Sequence, residues 1–206
     1  MMCVHLEGKR MSTETTAAPA AEPAAVPLTG HRVGWVFLSL TRIAIGFIFL
    51  WSFFDKLFGL GYSTCRTTNE DGTFSIDAMC DSAWINGGHV TEGYLVYGGN
   101  PNSPFHDFFV DLGAQRWTDW AFMLGLLGIG FALTFGVGTK LALVAGPLML
   151  LFMYMTQMWP ANNPILDDHI VQALAIIGIV LVELGHQSIG FGEFWKRKVG
   201  RQHWTV

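Results

Sequence analysis

Two pairs of ionisable residues stand fourteen positions apart inside apolar runs: Arg42 and Lys56 in one, His169 and Glu183 in another. Fourteen residues at 100° each return to within about 40° of the starting direction, so each pair shares a helix face. If the two helices lie side by side and antiparallel, Arg42 meets Glu183 at one depth, and Lys56 meets Asp168 and His169 at the other. An unpaired charge at mid-membrane depth costs about 3 kcal/mol or more, so Arg42 calls for a partner. Two readings of an Arg42–Glu183 pair stand open: an ion pair that sets helix register, or part of a proton or substrate relay. His186, three residues after Glu183, either extends that pair or is an interfacial histidine.

The outer group, Lys56, Asp168 and His169, is the candidate catalytic cluster. Asp167 is the expected N-cap of the last apolar helix, and Asp168 suits its positive end. A neutral imidazole beside a lysine exchanges hydrogen bonds and protons with a carbonyl ligand such as a quinone head group. A capped helix with an interfacial histidine is the alternative. Tyr154, Gln157 and Trp159 are the candidate cofactor-binding residues. With Met149, Met153, Met155 and Met158 they either line an adaptable apolar slot or simply pack. Cys65 and Cys80 share a polar stretch expected on an oxidising face, which suits a structural disulfide; an exchanging redox pair is the other reading. His89, Glu92, His106, Asp107 and Asp111 are scattered without the spacing of a metal site, and no dinucleotide or phosphate loop occurs in a fitting context. Neither a metal nor a flavin site is expected.

The elements that must position these residues are membrane helices. Of 206 residues, 51% are hydrophobic and 14% charged, with eight Trp, sixteen Phe and a net charge of −4. Soluble domains carry roughly a quarter charged residues, so an ordinary soluble enzyme is excluded, and nucleic acid is a poor partner. Apolar runs predict spans at about 33–58, 118–138, 140–159 and 167–189, the last weaker because it must accept Glu183 and His186. Lys9, Arg10 and Arg32 precede the first run, Lys140 separates the second and third, and Lys196, Arg197, Lys198 and Arg201 follow the fourth. Four spans put all of these on one side, which the positive-inside tendency requires. The expectation is an all-α integral membrane four-helix bundle, residues 33–192, with a long extracytoplasmic loop over 59–117. A disordered cytoplasmic tail (1–32) and a basic cytoplasmic tail (193–206) flank it. Small residues at four-residue spacing, Gly128, Ala132 and Gly136 in one helix and Ala142 and Gly146 in the next, are expected at helix contacts.

The run from Arg42 through Gly46 and Phe49 to Lys56 resembles the DoxX/DoxD family of four-helix membrane proteins. So do Gly125 and Gly128 with Gly136-Val-Gly138, Asn163-Pro164 before Asp167-Asp168-His169, and Gly190-Phe-Gly192. The likeness covers roughly residues 33–192, with Ser52 where the family often has a glycine. It implies a small bacterial inner-membrane protein with a link to redox chemistry. The large subunits of thiosulfate:quinone oxidoreductases are the best-defined members, and they work with a second subunit. The implied function is a membrane subunit of a quinone-linked oxidoreductase. The alternative is a non-catalytic scaffold that tethers soluble redox or sulfur-transfer enzymes to the bilayer.

Overall fold

The computed structural model describes residues 28–161, 163 and 165–199. The described chain is mostly helical. Helix α1 (Leu28–Phe58) is followed by a hairpin of β1 (Arg66–Thr68) and β2 (Phe74–Ile76), antiparallel with Arg66 opposite Ile76. A 3₁₀ turn at Trp84–Asn86 leads to α2 (Val90–Leu95) and α3 (His106–Gly113). Then come α4 (Arg116–Phe135), α5 (Thr139–Thr156), α6 (Asp168–Glu183) and α7 (Gly192–Val199).

Three helices, α1, α4 and α5, are long and apolar enough to cross a membrane. They coincide with the first three expected spans. Helix α6 has 16 residues, about 24 Å at 1.5 Å per residue, against a hydrocarbon core of about 30 Å. It stops at Glu183 because Gly185, His186, Gln187 and Ser188 follow and offer no apolar face. The flanks also differ from expectation. Residues 28–32, read as tail, already belong to α1, and residues 193–199 belong to α7. The remaining tail residues, 1–27 and 200–206, lie outside the described residues. The segment over 59–117 carries two short strands, so the fold is not purely helical.

Helix α1 packs principally on α4, and α6 on α5, with α4 and α5 also in contact. The α1–α4 approach is set by glycine. A Cβ on Gly46 would lie 2.5 Å from the Thr134 backbone nitrogen, and one on Gly130 would lie 2.7 Å from that of Leu50. Close backbone contact of this kind suits helices in lipid, where dispersion rather than water drives association. Gly128, expected at a contact, faces open space. The core joins Ile45 and Phe49 of α1, Met123 and Leu133 of α4, Leu150 of α5, and Ile176 and Val180 of α6. Phe37, Phe47, Leu124, Val144 and Leu174 stand exposed on the outside of the helices. Such an apolar exterior fits a lipid solvent.

Candidate functional site

Three polar clusters interrupt the apolar packing. The inner one centres on Arg42 and Glu183, each 1% exposed. Arg42 Nε donates to Glu183 Oε2 at 2.5 Å, and Ser39 Oγ donates to Glu183 Oε1 at 2.6 Å. Arg42 Nη1 donates to the Leu133 carbonyl, and Nη2 to the Ile189 carbonyl at 2.5 Å. The guanidinium therefore ties α1 to α4, α6 and the chain leading to α7. Gln187 Nε2 donates to the Gly136 carbonyl at 3.1 Å. A Cβ on Gly136 or Gly192 would strike the Gln187 amide, and one on Gly190 would come within 3.0 Å of Arg42 Nη2. These three glycines leave the space the inner cluster occupies. Gly136, with φ +75°, also needs the left-handed conformation that ends α4.

Lys196 closes this end. Its ammonium donates to the Leu184 carbonyl at 3.0 Å and to Glu193 Oε1 at 3.2 Å, a favourable place for a cation at a helix C-terminus. Burial acts to raise the pKa of Glu193. Hydrogen bonds from Lys196 and the Gln187 N–H, with the charges of Lys196 and His186, outweigh it and hold the carboxyl below its ordinary range. His186 is exposed and sets its ring edge against Trp35, with centroids 5.7 Å apart, so it does not extend the Arg42–Glu183 pair.

The expected outer cluster does not assemble. Lys56 Nζ donates to Ser63 Oγ at 2.9 Å. Ser63 Oγ in turn donates to Asp55 Oδ2 at 2.6 Å, and Asp55 also accepts the N–H groups of Tyr62 and Ser63. Lys56 thus serves the turn that ends α1. His169 Nδ1 lies 2.5 Å from Asp167 Oδ2 in its own helical turn, and Asp167 Oδ1 caps α6 by accepting the Ile170 N–H. Asp168 is exposed in that first turn. The correction has a physical source: the glycine contact draws α1 onto α4, whereas α6 is seated on α5. Asn162 and Pro164, beside this cluster, lie outside the described residues.

Tyr154, Gln157 and Trp159 do not line a common slot either. Tyr154 Oη donates to the Ile165 carbonyl at 2.8 Å, and Gln157 Nε2 to the Gly98 carbonyl at 2.7 Å. Ser103 Oγ donates to the Met155 carbonyl at 2.7 Å, and the Asn100 N–H to that of Thr156 at 3.0 Å. These bonds satisfy the free carbonyls at the end of α5 and pin the 98–103 segment there. Trp159 is 59% exposed. Cys65 and Cys80 are joined in a disulfide with a Cα–Cα distance of 5.7 Å, which holds the hairpin against the following turns.

An apolar groove lies elsewhere, between α2, α3, α4 and α5. Its volume is about 340 Å³, and Phe122, Gly125, Met149 and Met153 are among its walls. Trp117, Leu148 and Phe152 also line it and are exposed, so the groove opens on the apolar exterior. Tyr94, Thr91 and Thr118 are the hydroxyl-bearing residues of its wall, the two threonines side by side. Behind them stands Asp119, 1% exposed. Asp119 Oδ1 accepts the Thr91 N–H at 2.9 Å and the Thr91 hydroxyl at 2.7 Å, and Thr91 Oγ1 lies 2.9 Å from Thr118 Oγ1. His89 Nδ1 sits 3.0 Å from Oδ1 and 2.8 Å from Oδ2. On its other side Asp119 lines a second pocket of about 370 Å³ with Trp84, Trp120 and Arg116. The Arg116 guanidinium stands 3.9 Å from Asp119 Oδ2 with its side chain 67% exposed.

Sequence reasoning passed over this third cluster. In the sequence His89 stands only among scattered metal-ligand types, and Asp119 falls inside an expected apolar span. The signal available was a carboxylate next to a threonine inside a predicted span, where an ionisable group is expensive. Its partners lie about thirty positions upstream in a loop, and no spacing rule reaches them. Comparison of the chain with protein-family models, curated proteins and solved structures found no match.

Proposed function

We propose that this chain is a membrane subunit of a quinone-linked oxidoreductase, and that the groove between α4 and α5 holds the quinone. The observation that carries the reading is an apolar groove that opens on the lipid-like exterior and has Thr91 and Thr118 in its wall, with the buried Asp119 carboxylate hydrogen-bonded to Thr91 behind them. Ligand pockets of this kind are mostly apolar with a few convergent polar groups. About 340 Å³ suits a substituted ring with the start of its tail. In this reading Thr91 and Thr118 hydrogen-bond the head group, Met149 and Met153 adapt to its substituents, and the tail leaves past Leu148 and Phe152 into lipid. Quinone supplies the electron chemistry; the chain binds, orients and exchanges protons with the ring oxygens.

The likeness to the DoxX/DoxD family belongs to the same proposal. So does a fourth span, formed by α6 with the apolar residues Leu184 and Ile189 beyond it, which leaves Lys140 and the basic α7 on the cytoplasmic face of a bacterial inner membrane. The disulfide suits the opposite, oxidising face.

Photolabelling with an azido-substituted short-chain ubiquinone, on protein in nanodiscs, tests the site. Label is expected on peptides of α4 and α5 that line the groove, displaced by unlabelled quinone. Gly125→Leu should abolish it, because a side chain there enters the groove against only the mobile end of Met149. Label that does not compete, or that ignores Gly125→Leu, overturns the assignment. Co-purification of soluble redox enzymes without any quinone labelling would favour the scaffold.

A further inference from the structure

The hydrogens of the Thr91–Thr118–Asp119 cluster do not suffice for its acceptors. Thr118 Oγ1 is placed to donate to the Gln115 carbonyl and also stands 2.9 Å from Thr91 Oγ1. Thr91 Oγ1 is placed to donate to Asp119 Oδ1. Each hydroxyl has one hydrogen. Two hydrogens therefore face three positions: the Gln115 carbonyl, the link between the threonines, and the carboxylate. If Thr118 turns its hydrogen from Gln115 to Thr91, the cluster becomes a directed chain. Thr118 then donates to Thr91, Thr91 donates to Asp119, and the oxygen of Thr118, a residue of the groove wall, is left with an open acceptor position.

The chain joins two spaces of different character. Thr91 and Thr118 line the apolar groove, and Asp119 lines the outer pocket beside the exposed Arg116. That pocket is large and polar enough to hold water, which needs only a few hydrogen-bonding partners. The charged and titratable groups that face Asp119 are His89, from the segment before α2, and Arg116, from its own helix. His89 Nε2 is buried and has no hydrogen-bond partner.

We infer that Thr118, Thr91 and Asp119 form a proton path between the groove and the water of the outer pocket, with Asp119 as the group that exchanges protons with that water. The inference rests on the groove being a quinone site. The step is acid–base only. A ring hydroxyl of a hydroquinone gives its proton to Thr118 Oγ1 as Thr118 gives its own to Thr91 and Thr91 gives its own to Asp119. One O–H bond breaks and one forms at each oxygen along the chain. The result is a deprotonated ring oxygen and a protonated carboxyl, and no electron moves. The carboxyl then passes the proton to water in the outer pocket.

Calorimetric titration of protein in nanodiscs with a short-chain ubiquinol and the matching ubiquinone tests this. Titrations in buffers of different ionisation enthalpy read the protons exchanged on binding. In the unaltered protein, ubiquinol binding should be linked to proton release, and ubiquinone binding to much less. Thr118→Val cuts the path while leaving Asp119 its bonds to Thr91 and His89. A path sets a rate, so stopped-flow mixing with ubiquinol and a pH-indicator dye reads it: Thr118→Val should slow proton release at least tenfold, with ubiquinone binding also weakened because Thr118 holds the head group, and Thr118→Ser should restore both. Asp119→Asn should slow release likewise, with near-ultraviolet circular dichroism used to confirm that the segment before α2 stays folded. Release that is as fast in Thr118→Val, or absent from the unaltered protein, overturns the proton path while leaving the quinone site standing. Failure of both ligands to bind overturns the functional reading and this inference together.

Discussion

The polar clusters around Glu183 and around Asp119 have the same ingredients and opposite surroundings. Each holds a carboxylate that is 1% exposed, hydroxyl donors and a nearby arginine. Around Glu183, both carboxylate oxygens have donors, three Arg42 nitrogens are engaged, and glycines let the backbone close over the pair. Around Asp119, the arginine is mostly in solvent, a hydroxyl hydrogen is in short supply, and a cavity lies on each side. A buried charge whose hydrogen bonds are complete fixes geometry. One whose network has a choice of arrangements, between two spaces, has something left to exchange. Of the two readings left open for Arg42 and Glu183, the first fits this wiring.

The largest test of the contrast is Arg42→Ala. It leaves Glu183 buried without its cation and should cost about 3–5 kcal/mol. The midpoint of denaturant unfolding in detergent should fall, whereas a loss of quinone labelling with no loss of stability would break the comparison. Next is the disulfide. Cys65→Ser with Cys80→Ser releases a loop with a sequence separation of 15, worth about 3 kcal/mol in the chain-entropy model. Hydrogen exchange should quicken across the hairpin and leave the 183–192 segment protected; equal loss at both would mean that the clusters are not independent.

Asp167→Ala removes the side-chain cap of α6 and should cost about 1 kcal/mol. Thermal melting reads that loss, and labelling of the groove should not change. The smallest effect concerns pH. The Glu193 carboxyl titrates below its unfolded value, so its contribution is fully present above that unfolded pKa. It fades as pH falls through the lower folded value. The unaltered protein should exceed Glu193→Gln in stability by a small constant margin near neutrality, and that margin should shrink on acidification through that range. A margin that grows as pH falls would reverse the sign of the argument.

Legibility in the sequence followed the range of the interactions. The fourteen-residue interval places Arg42 and Lys56 on one face and anticipates a carboxylate partner, because helix geometry is local. It says nothing about how far two helices stay together. Only the Arg42 end of α1 meets Glu183 of α6, and Lys56 is satisfied seven residues away by Ser63. Gly190 and Gly192 were visible as a motif, but their purpose, room for Gln187 and Arg42, appears only when segments far apart in the chain converge.

What the sequence by itself determined is the solvent of this protein. Runs of apolar residues with sparse charge demand helices whose backbone bonds are internal and whose side chains face lipid, and that follows from composition and periodicity. Which charges would meet, and where a cavity would open, was decided by tertiary packing. Glycines at 46 and 130 let α1 and α4 close together, and the outer segment folded back to set Thr91 and His89 on Asp119. Dispersion between helices acts only at contact distance, so the choice among neighbours belongs to the assembled chain.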